Sequence, residues 1–278
     1  MPAGCTLLGL SALPTDHPLN KGMLGMHGNL GPNINTNKCD VLIAVGMRFD
    51  DRVTGNLATY AKQAKVIHFD IDPAEVNKNV KVDIAVLGDC KNTLAAVTGL
   101  LKENKHTEWN DSFKEYEKVE EEKVIRPELY PATDSLTMGE VARAVSEATH
   151  HEAVLVTDVG QNQIWSCGYH IVKKGQFLTS GGMGTMGYSI PAALGAKLAD
   201  KKRQVIAVCG DGSFQMSMME LATMRQYQVP VKIIVLKNNY LGMVREYQHY
   251  TYQDHYSVVD LSGSPDLELL APAFGMKY

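Results

Sequence analysis

The pair Gly210-Asp211-Gly212 and Asn238-Asn239, with 25 residues between them, constrains this chain more than any other feature. Residues 204–209 form an apolar run ending at the first motif, as a buried parallel strand and its C-terminal turn do. Residues 213–228 carry helical periodicity, with Phe214, Met218, Leu221 and Met224 near one face, and 231–237 reads as the next strand. A helix of about 16 residues moves the chain roughly 24 Å at 1.5 Å per residue. A strand of about eight residues returns it roughly 26 Å at 3.3 Å per residue. The spacing therefore brings Asn238 back beside Asp211. A carboxylate and an amide oxygen then meet at a helix N-terminus, whose free N–H groups suit a phosphate. Hard oxygen ligands of this kind suit Mg²⁺ shared with a phosphate of a bound molecule. The same letters also suit two ordinary βα turns rich in glycine and asparagine.

At 278 residues the chain can hold two domains, each with its own core. Hydrophobic content of 45% and charged content of 21% place it among globular proteins. A net charge of −4, with Lys and Arg scattered, argues against a nucleic-acid surface. No apolar run approaches the roughly 18 residues of a membrane span, and the N-terminus lacks a basic-then-apolar leader. The expectation is a cytoplasmic protein with neither nucleic-acid nor membrane partners. Cys5, Cys39, Cys90, Cys167 and Cys209 are odd in number and lack CxxC spacing, so they read as buried free thiols in a reducing compartment.

Residues 1–104 alternate short apolar runs with helical stretches. Strands are expected at 6–10, 40–46, 66–71 and 84–87, and a closing helix at 91–105 with Leu94, Val97 and Leu101 as its buried stripe. Residues 105–135 are rich in Lys and Glu, with a charge run over 117–123 and prolines at 127 and 131, and read as a solvated helix and linker. Residues 136–278 form a second unit with strands at 153–157, 176–178, 205–209 and 232–236. Every motif in this half sits just past the carboxyl end of a strand, where open α/β sheets place ligands. The fold class expected is α/β in two domains, 1–104 and 136–278, each a parallel sheet flanked by helices.

Two further motifs have competing readings. Gly182-x-Gly184-x-x-Gly187 fits the dinucleotide pattern GxGxxG after a strand, but no acidic residue closes a following strand about 20 residues on. Arg48, Asp50 and Arg52 follow the strand ending at Gly46, and two arginines at a glycine turn suit either a dinucleotide's phosphates or a surface ion-pair cluster. The histidines, including His150-His151, show no metal spacing.

Five blocks resemble the thiamine-diphosphate enzymes, and within them the FAD-containing large, catalytic subunits of the acetohydroxyacid (acetolactate) synthases. They are Asp158-Val159-Gly160-Gln161, Ser180-Gly181-Gly182-Met183-Gly184-Thr185-Met186-Gly187, Gly210-Asp211-Gly212-Ser213, Asn238-Asn239-Tyr240-Leu241-Gly242-Met243-Val244, and, far upstream, Gly46-Met47-Arg48-Phe49-Asp50-Asp51-Arg52-Val53-Thr54-Gly55. The resemblance implies a central FAD-binding domain of Rossmann type followed by a thiamine-diphosphate-binding domain. It implies that Asp211 and Asn238 ligate Mg²⁺ through side chains and Tyr240 through its backbone carbonyl. Gly210, Gly212, Ser213, Gly242 and Met243 would face the diphosphate, joined by Gly160, Gln161 and Asn162; the family often has His where Asn162 stands. Gly184 and Met186 would hold the thiamine, the bulky Met186 propping it into a V shape. For FAD the implied contacts are Thr6, Leu7, Leu24, Gly25, Met26, His27, Gly46, Arg48, Asp50, Arg52, Val53, Asp70, Ile71, Gly88 and Asp89. Val244 and Tyr247 would line the substrate pocket. The family usually carries Trp in place of Tyr247, which leaves the choice between pyruvate and 2-ketobutyrate as second substrate open.

The activity so implied decarboxylates pyruvate and condenses the hydroxyethyl unit with a second 2-keto acid, the first common step of branched-chain amino acid biosynthesis. FAD would be structural, the assembly a homodimer or higher, and a small regulatory subunit a possible partner. No catalytic residue is assigned in this chain: the family's activating glutamate belongs to an N-terminal pyrimidine-binding domain, and Glu220 and Glu246 fall in no motif that would replace it. Both domains read as truncated at their outer ends. Two alternatives stand beside the synthase: a non-catalytic module that binds FAD and Mg²⁺-thiamine diphosphate and needs a partner domain, and a nicotinamide oxidoreductase.

Overall fold

The computed structural model describes residues 1–132, 134–169, 173 and 175–278. They form two compact units, Met1–Leu7 with His17–Val124, and Leu8–Asp16 with Ile125–Tyr278.

In the first unit β1 (Ala3–Cys5) pairs in parallel with β2 (Asn20–Met23), which leads to α1 (Leu30–Thr36). Strand β3 (Val41–Val45), the short α2 (Asp51–Thr54), β4 (Lys65–Asp70) and β5 (Ile84–Leu87) follow, and the three strands make a parallel sheet in that order. Their apolar, β-branched runs start after Asp40, Ala64 and Asp83, and stop at Gly46, Asp70 and Gly88. One face carries a core of Ala44, Phe49, Tyr60, Ala61 and Val66. The strand expected at 6–10 falls instead on Ala3–Cys5, because Leu7–Gly9 is a 3-10 turn and Ser11 takes φ +67°, which ends extended geometry.

Helix α3 (Cys90–Thr98) starts where Asp89 accepts a hydrogen bond from the Asn92 N–H and ends at Gly99, well short of the expected 105. It has no buried residue, so the stripe expected to be covered is open within this unit. The segment expected as a solvated linker also differs. Helices α4 (Thr107–Asp111) and α5 (Lys114–Glu120) bury Phe113, which meets Trp109 edge-on at 5.8 Å and lies 5.5 Å below the Lys21 ammonium. An added Cβ at Gly31 of α1 would be 3.4 Å from the Phe113 ring, so the segment packs into the first unit as far as Val124. Residue 133 of the expected linker lies outside the described residues.

The second unit contains α6 (Arg126–Leu129), α7 (Met138–Ala148), β6 (Val154–Thr157), α8 (Gln161–Tyr169), β7 (Phe177–Thr179), α9 (Ser189–Ala199) and β8 (Val205–Gly210). Then come α10 (Asp211–Ser217), α11 (Glu220–Tyr227), β9 (Lys232–Leu236), α12 (Gly242–Tyr252) and α13 (Leu267–Ala273). The four strands are parallel in the order β7-β6-β8-β9, with Val154 opposite Val205 and Gly210 opposite Leu236. Helix α9 covers one face, where Val154, Val156, Val205 and Ala207 pack on Ala193; α8 packs over β6 and β8 and is backed by α7. Both central strands are therefore buried, as all-parallel sheets require. The single helix expected over 213–228 is two, yet its stripe of Phe214, Leu221 and Met224 still enters one cluster with Ile190 and Cys209. Among the described residues no helix is long and apolar enough to cross a membrane.

Candidate functional site

The carboxyl ends of β6, β8 and β9 open into one cavity. The order β6-β8-β9 makes this unavoidable: Asp158 follows β6, Asp211 follows β8 and Asn238 lies two residues past β9. Asp211 is 3% exposed. Its Oδ1 accepts its neighbour Gly212 N–H at 3.0 Å and its Oδ2 accepts the Asn239 N–H at 2.8 Å, so the convergence inferred from spacing is present. Asn238 Oδ1 accepts the Tyr240 N–H at 3.0 Å. The loop is braced from behind, where the Leu241 N–H donates to Val259 O at 2.9 Å and the Leu261 N–H donates to Asn239 O at 2.8 Å.

Helix α12 begins with no side-chain cap, which leaves its first N–H groups directed at the cavity. A Cβ on its first residue, Gly242, would stand 2.2 Å from Gln161 Oε1, so any side chain there would displace the Gln161 amide. Gln161 in turn donates from Nε2 to Glu246 Oε2 at 2.8 Å. Asn162 is 3% exposed and lines the same cavity, and its Oδ1 has no hydrogen-bond partner among the described residues. A buried polar atom without a partner costs about 1–3 kcal/mol, and a polar group bound in the cavity would offset that cost.

The second buried carboxylate differs from the first. Asp158 is fully buried. It accepts Val159 N–H and Gly187 N–H on Oδ1 at 2.8 and 2.9 Å, and Ser189 N–H and Oγ–H on Oδ2, both at 2.8 Å. Four donors saturate it, whereas Asp211 with two main-chain donors keeps lone pairs for a cation. Between them, burial pushes the Cys209 thiol up to about 12; the Asp158 and Asp211 charges add to that and a hydrogen bond with Ser189 opposes it.

Among the described residues no group of three His, Cys, Asp or Glu could hold a metal. The donors gathered here are instead one carboxylate, one amide and the main chain at Tyr240. They fit a hard ion whose octahedral shell is completed by phosphate oxygens and water. Every residue expected at the diphosphate or the metal lines the cavity except Gly184, around which the structure is open. Met186 does line it, with its Cε 3.6 Å from where a Cβ on Gly212 would sit. Val244 lines it as well, while Tyr247 is 59% exposed and meets Tyr252 edge-on at 5.8 Å. Sequence reasoning missed Met138, Val159, Leu236 and Leu241, which complete the wall. Val159 and Leu241 sit inside quoted motifs; Met138, the first residue of α7, carries no sequence signal.

In the first unit the residues expected around a flavin gather at the carboxyl edge of the sheet. Gly46, Asp70 and Gly88 follow or end β3, β4 and β5, and the Gly88 N–H donates to Asp70 O at 2.9 Å. The 24–27 segment meets the arginine turn, since the Met26 N–H donates to Arg52 O at 2.8 Å. Arg48 pairs with Asp50, and Arg52 pairs with Asp51 at 2.7 Å. Such exposed ion pairs are weak enough for a phosphate to displace. Asp70 is held by the Asp72 N–H on Oδ1 at 2.9 Å and lies 3.4 Å from Nε2 of the fully buried His68. Thr6 and Leu7 are half-buried just past β1, and Ile71 is 72% exposed.

The model of the thiamine pyrophosphate enzyme C-terminal TPP binding domain matches residues 158–278, and that of the thiamine pyrophosphate enzyme central domain matches residues 1–97. The chain is 44% identical over 280 residues to the acetolactate synthase large subunit of Lactococcus lactis, covering 100% of this chain and 48% of that protein. It is 42% identical over 288 residues to the probable acetolactate synthase large subunit of Methanocaldococcus jannaschii, with the same coverage. To the acetolactate synthase isozyme 2 large subunit of Escherichia coli it is 42% identical over 278 residues, covering 99% of this chain and 49% of that protein. The chain thus spans about half the length of the curated relatives it matches.

Proposed function

Since the chain belongs to the thiamine pyrophosphate enzymes, with their central and C-terminal domains, we propose that it forms the corresponding part of an acetolactate synthase large subunit. The observation that carries this reading is the buried Asp211 held beside Asn238 and Asn239 at the mouth of an uncapped α12. Asp211, Asn238 and the Tyr240 carbonyl bind Mg²⁺. The N–H groups of Ser213, Gly242 and Met243 hold the diphosphate, with the Gly212 turn, Gly160, Gln161 and Asn162 beside it. Met186 supports the heterocyclic half, and Gly184 belongs to the loop that carries it. When bound, thiamine diphosphate supplies the carbon nucleophile that decarboxylates a 2-keto acid and passes the remaining two-carbon unit to another.

Val244 and Tyr247, one turn apart on α12, face the second 2-keto acid, pyruvate or 2-ketobutyrate. The first unit binds FAD as a structural group, with Arg48 and Arg52 releasing their carboxylates to take its phosphates and Asp70 reaching its ribose. The assembly is a homodimer or larger, able to take a small regulatory subunit, in the cytoplasm. The proton relay requires a carboxylate that no motif of this chain supplies, so these residues contribute half of an active site. Acetolactate formation from pyruvate with Mg²⁺, thiamine diphosphate and FAD tests this. The 278-residue chain alone should give only background, and addition of the N-terminal part of the Lactococcus relative should restore turnover. Turnover by the chain alone would show that the relay lies within it, and failure of both would remove the synthase reading.

A further inference from the structure

We propose that Asp158 is a positioning residue: its carboxylate anchors the 182–189 loop so that Met186 reaches over the turn at Gly212, and this makes the site select a thiamine-bearing diphosphate over a bare one. The inference rests on the thiamine-diphosphate reading and adds a residue to which that reading assigned nothing.

Three observations carry it. First, Asp158 cannot be a ligand for the metal, because its four lone-pair directions are filled by Val159, Gly187 and Ser189. Second, three of those four donors come from the two residues Gly187 and Ser189, immediately after Met186. Charge-assisted bonds to a buried carboxylate are the stronger kind, so this is a firm hook. Third, among the described residues the loop has little else to hold it. Thr185 N–H donates to Ser180 Oγ at 3.0 Å, but a Cβ at Gly182 or Gly184 would meet nothing within 4 Å, and Met183 is 89% exposed. Gly187 can turn its N–H into the carboxylate because it takes φ +84°, which strains any other residue, and Met216 stands 3.1 Å from where its Cβ would be. The hook therefore sits at the base of a loop whose apolar tip, Met186, lies in the cavity over the turn at Gly212.

Asp158→Asn tests it. An amide retains the shape but turns an NH₂ toward the Val159 and Gly187 N–H groups or toward the Ser189 N–H. Only the Ser189 hydroxyl can rotate to accept, so the loop loses at least one of its bonds whichever way the amide faces. Calorimetry on the full chain with Mg²⁺ compares thiamine diphosphate with inorganic pyrophosphate. The variant should bind thiamine diphosphate about tenfold or more weakly while its pyrophosphate affinity stays within about twofold. Ser189→Ala, which removes one of the four donors and keeps the carboxylate, should move the same ratio less, and it decides the matter if Asp158→Asn does not fold. Equal weakening of both ligands would reduce Asp158 to general stability and overturn the proposal, as would an unchanged thiamine diphosphate affinity. If the unaltered chain binds pyrophosphate but not thiamine diphosphate, the selectivity claim falls while the metal-diphosphate site stands. If it binds neither, that site falls and the proposal with it.

Discussion

The three-stranded and four-stranded parallel sheets of this molecule are built from similarly apolar strands and end up in different surroundings. Strand β8 is buried from Val205 to Cys209, and β6 throughout. Strand β3 reads Val-Leu-Ile-Ala-Val, yet Val41, Ile43 and Val45 are 40, 36 and 42% exposed. The difference is position and coverage, since β3 is an edge strand of its sheet whereas β6 and β8 are interior strands of theirs. In the second unit α9 lies on one face, and α8 backed by α7 on the other. In the first, the core occupies the Ala44 face, and α3 buries none of its own residues. An apolar run thus marks a strand of a parallel sheet, at its edge as in β3 or inside it as in β8; it does not tell how much burial the unit at hand provides.

The contrast should be plain in stability. Leu155→Ala, at a residue 1% exposed in β6, should cost about 2–5 kcal/mol. Ile84→Ala, at a residue 55% exposed in β5, should cost less than about 1 kcal/mol. Hydrogen exchange resolved by unit would measure both, and equal losses would break the comparison. A smaller effect concerns the thiols. Cys209, raised to about 12, holds its proton in the folded chain while an unfolded thiol loses it near 9. Its contribution is therefore present below pH 9 and is lost as the pH climbs toward 12. At pH 9 an alkylating reagent should leave Cys209 unmodified in the native chain and modify it in urea. Rapid native labelling would mean that the end of β8 opens far more readily than its burial implies.

Much of this was legible from residues alone, and the failures have physical causes. Strands β5 and β9 fall on the expected residues because their β-branched runs lie between Asp83 and Gly88 and between Pro230 and Asn238. The Asp211–Asn238 convergence followed from the rise per residue of a helix and a strand, which tertiary packing cannot change much. The break between α10 and α11 was hidden because Phe214, Leu221 and Met224 keep one stripe across it. The charged 105–124 segment concealed Trp109 and Phe113, two aromatics that outweighed their Lys and Glu neighbours and docked it on α1. Asp158 was visible as a letter in a motif. Its role was not, since its partners Gly187 and Ser189 are about 30 residues away and the pairing exists only once β6 and the turn into α9 are folded. Met138 reaches the cavity through packing of α7, for which no spacing rule exists.

Calorimetric titration of thiamine diphosphate into the full chain, with and without Mg²⁺, in the unaltered protein and in Asp211→Ala, tests the site most directly. Binding should require Mg²⁺ and should vanish in Asp211→Ala, while FAD binding to the first unit remains equal in both. Binding that ignores Mg²⁺, or that survives Asp211→Ala, would contradict a metal-diphosphate site at the ends of β8 and β9.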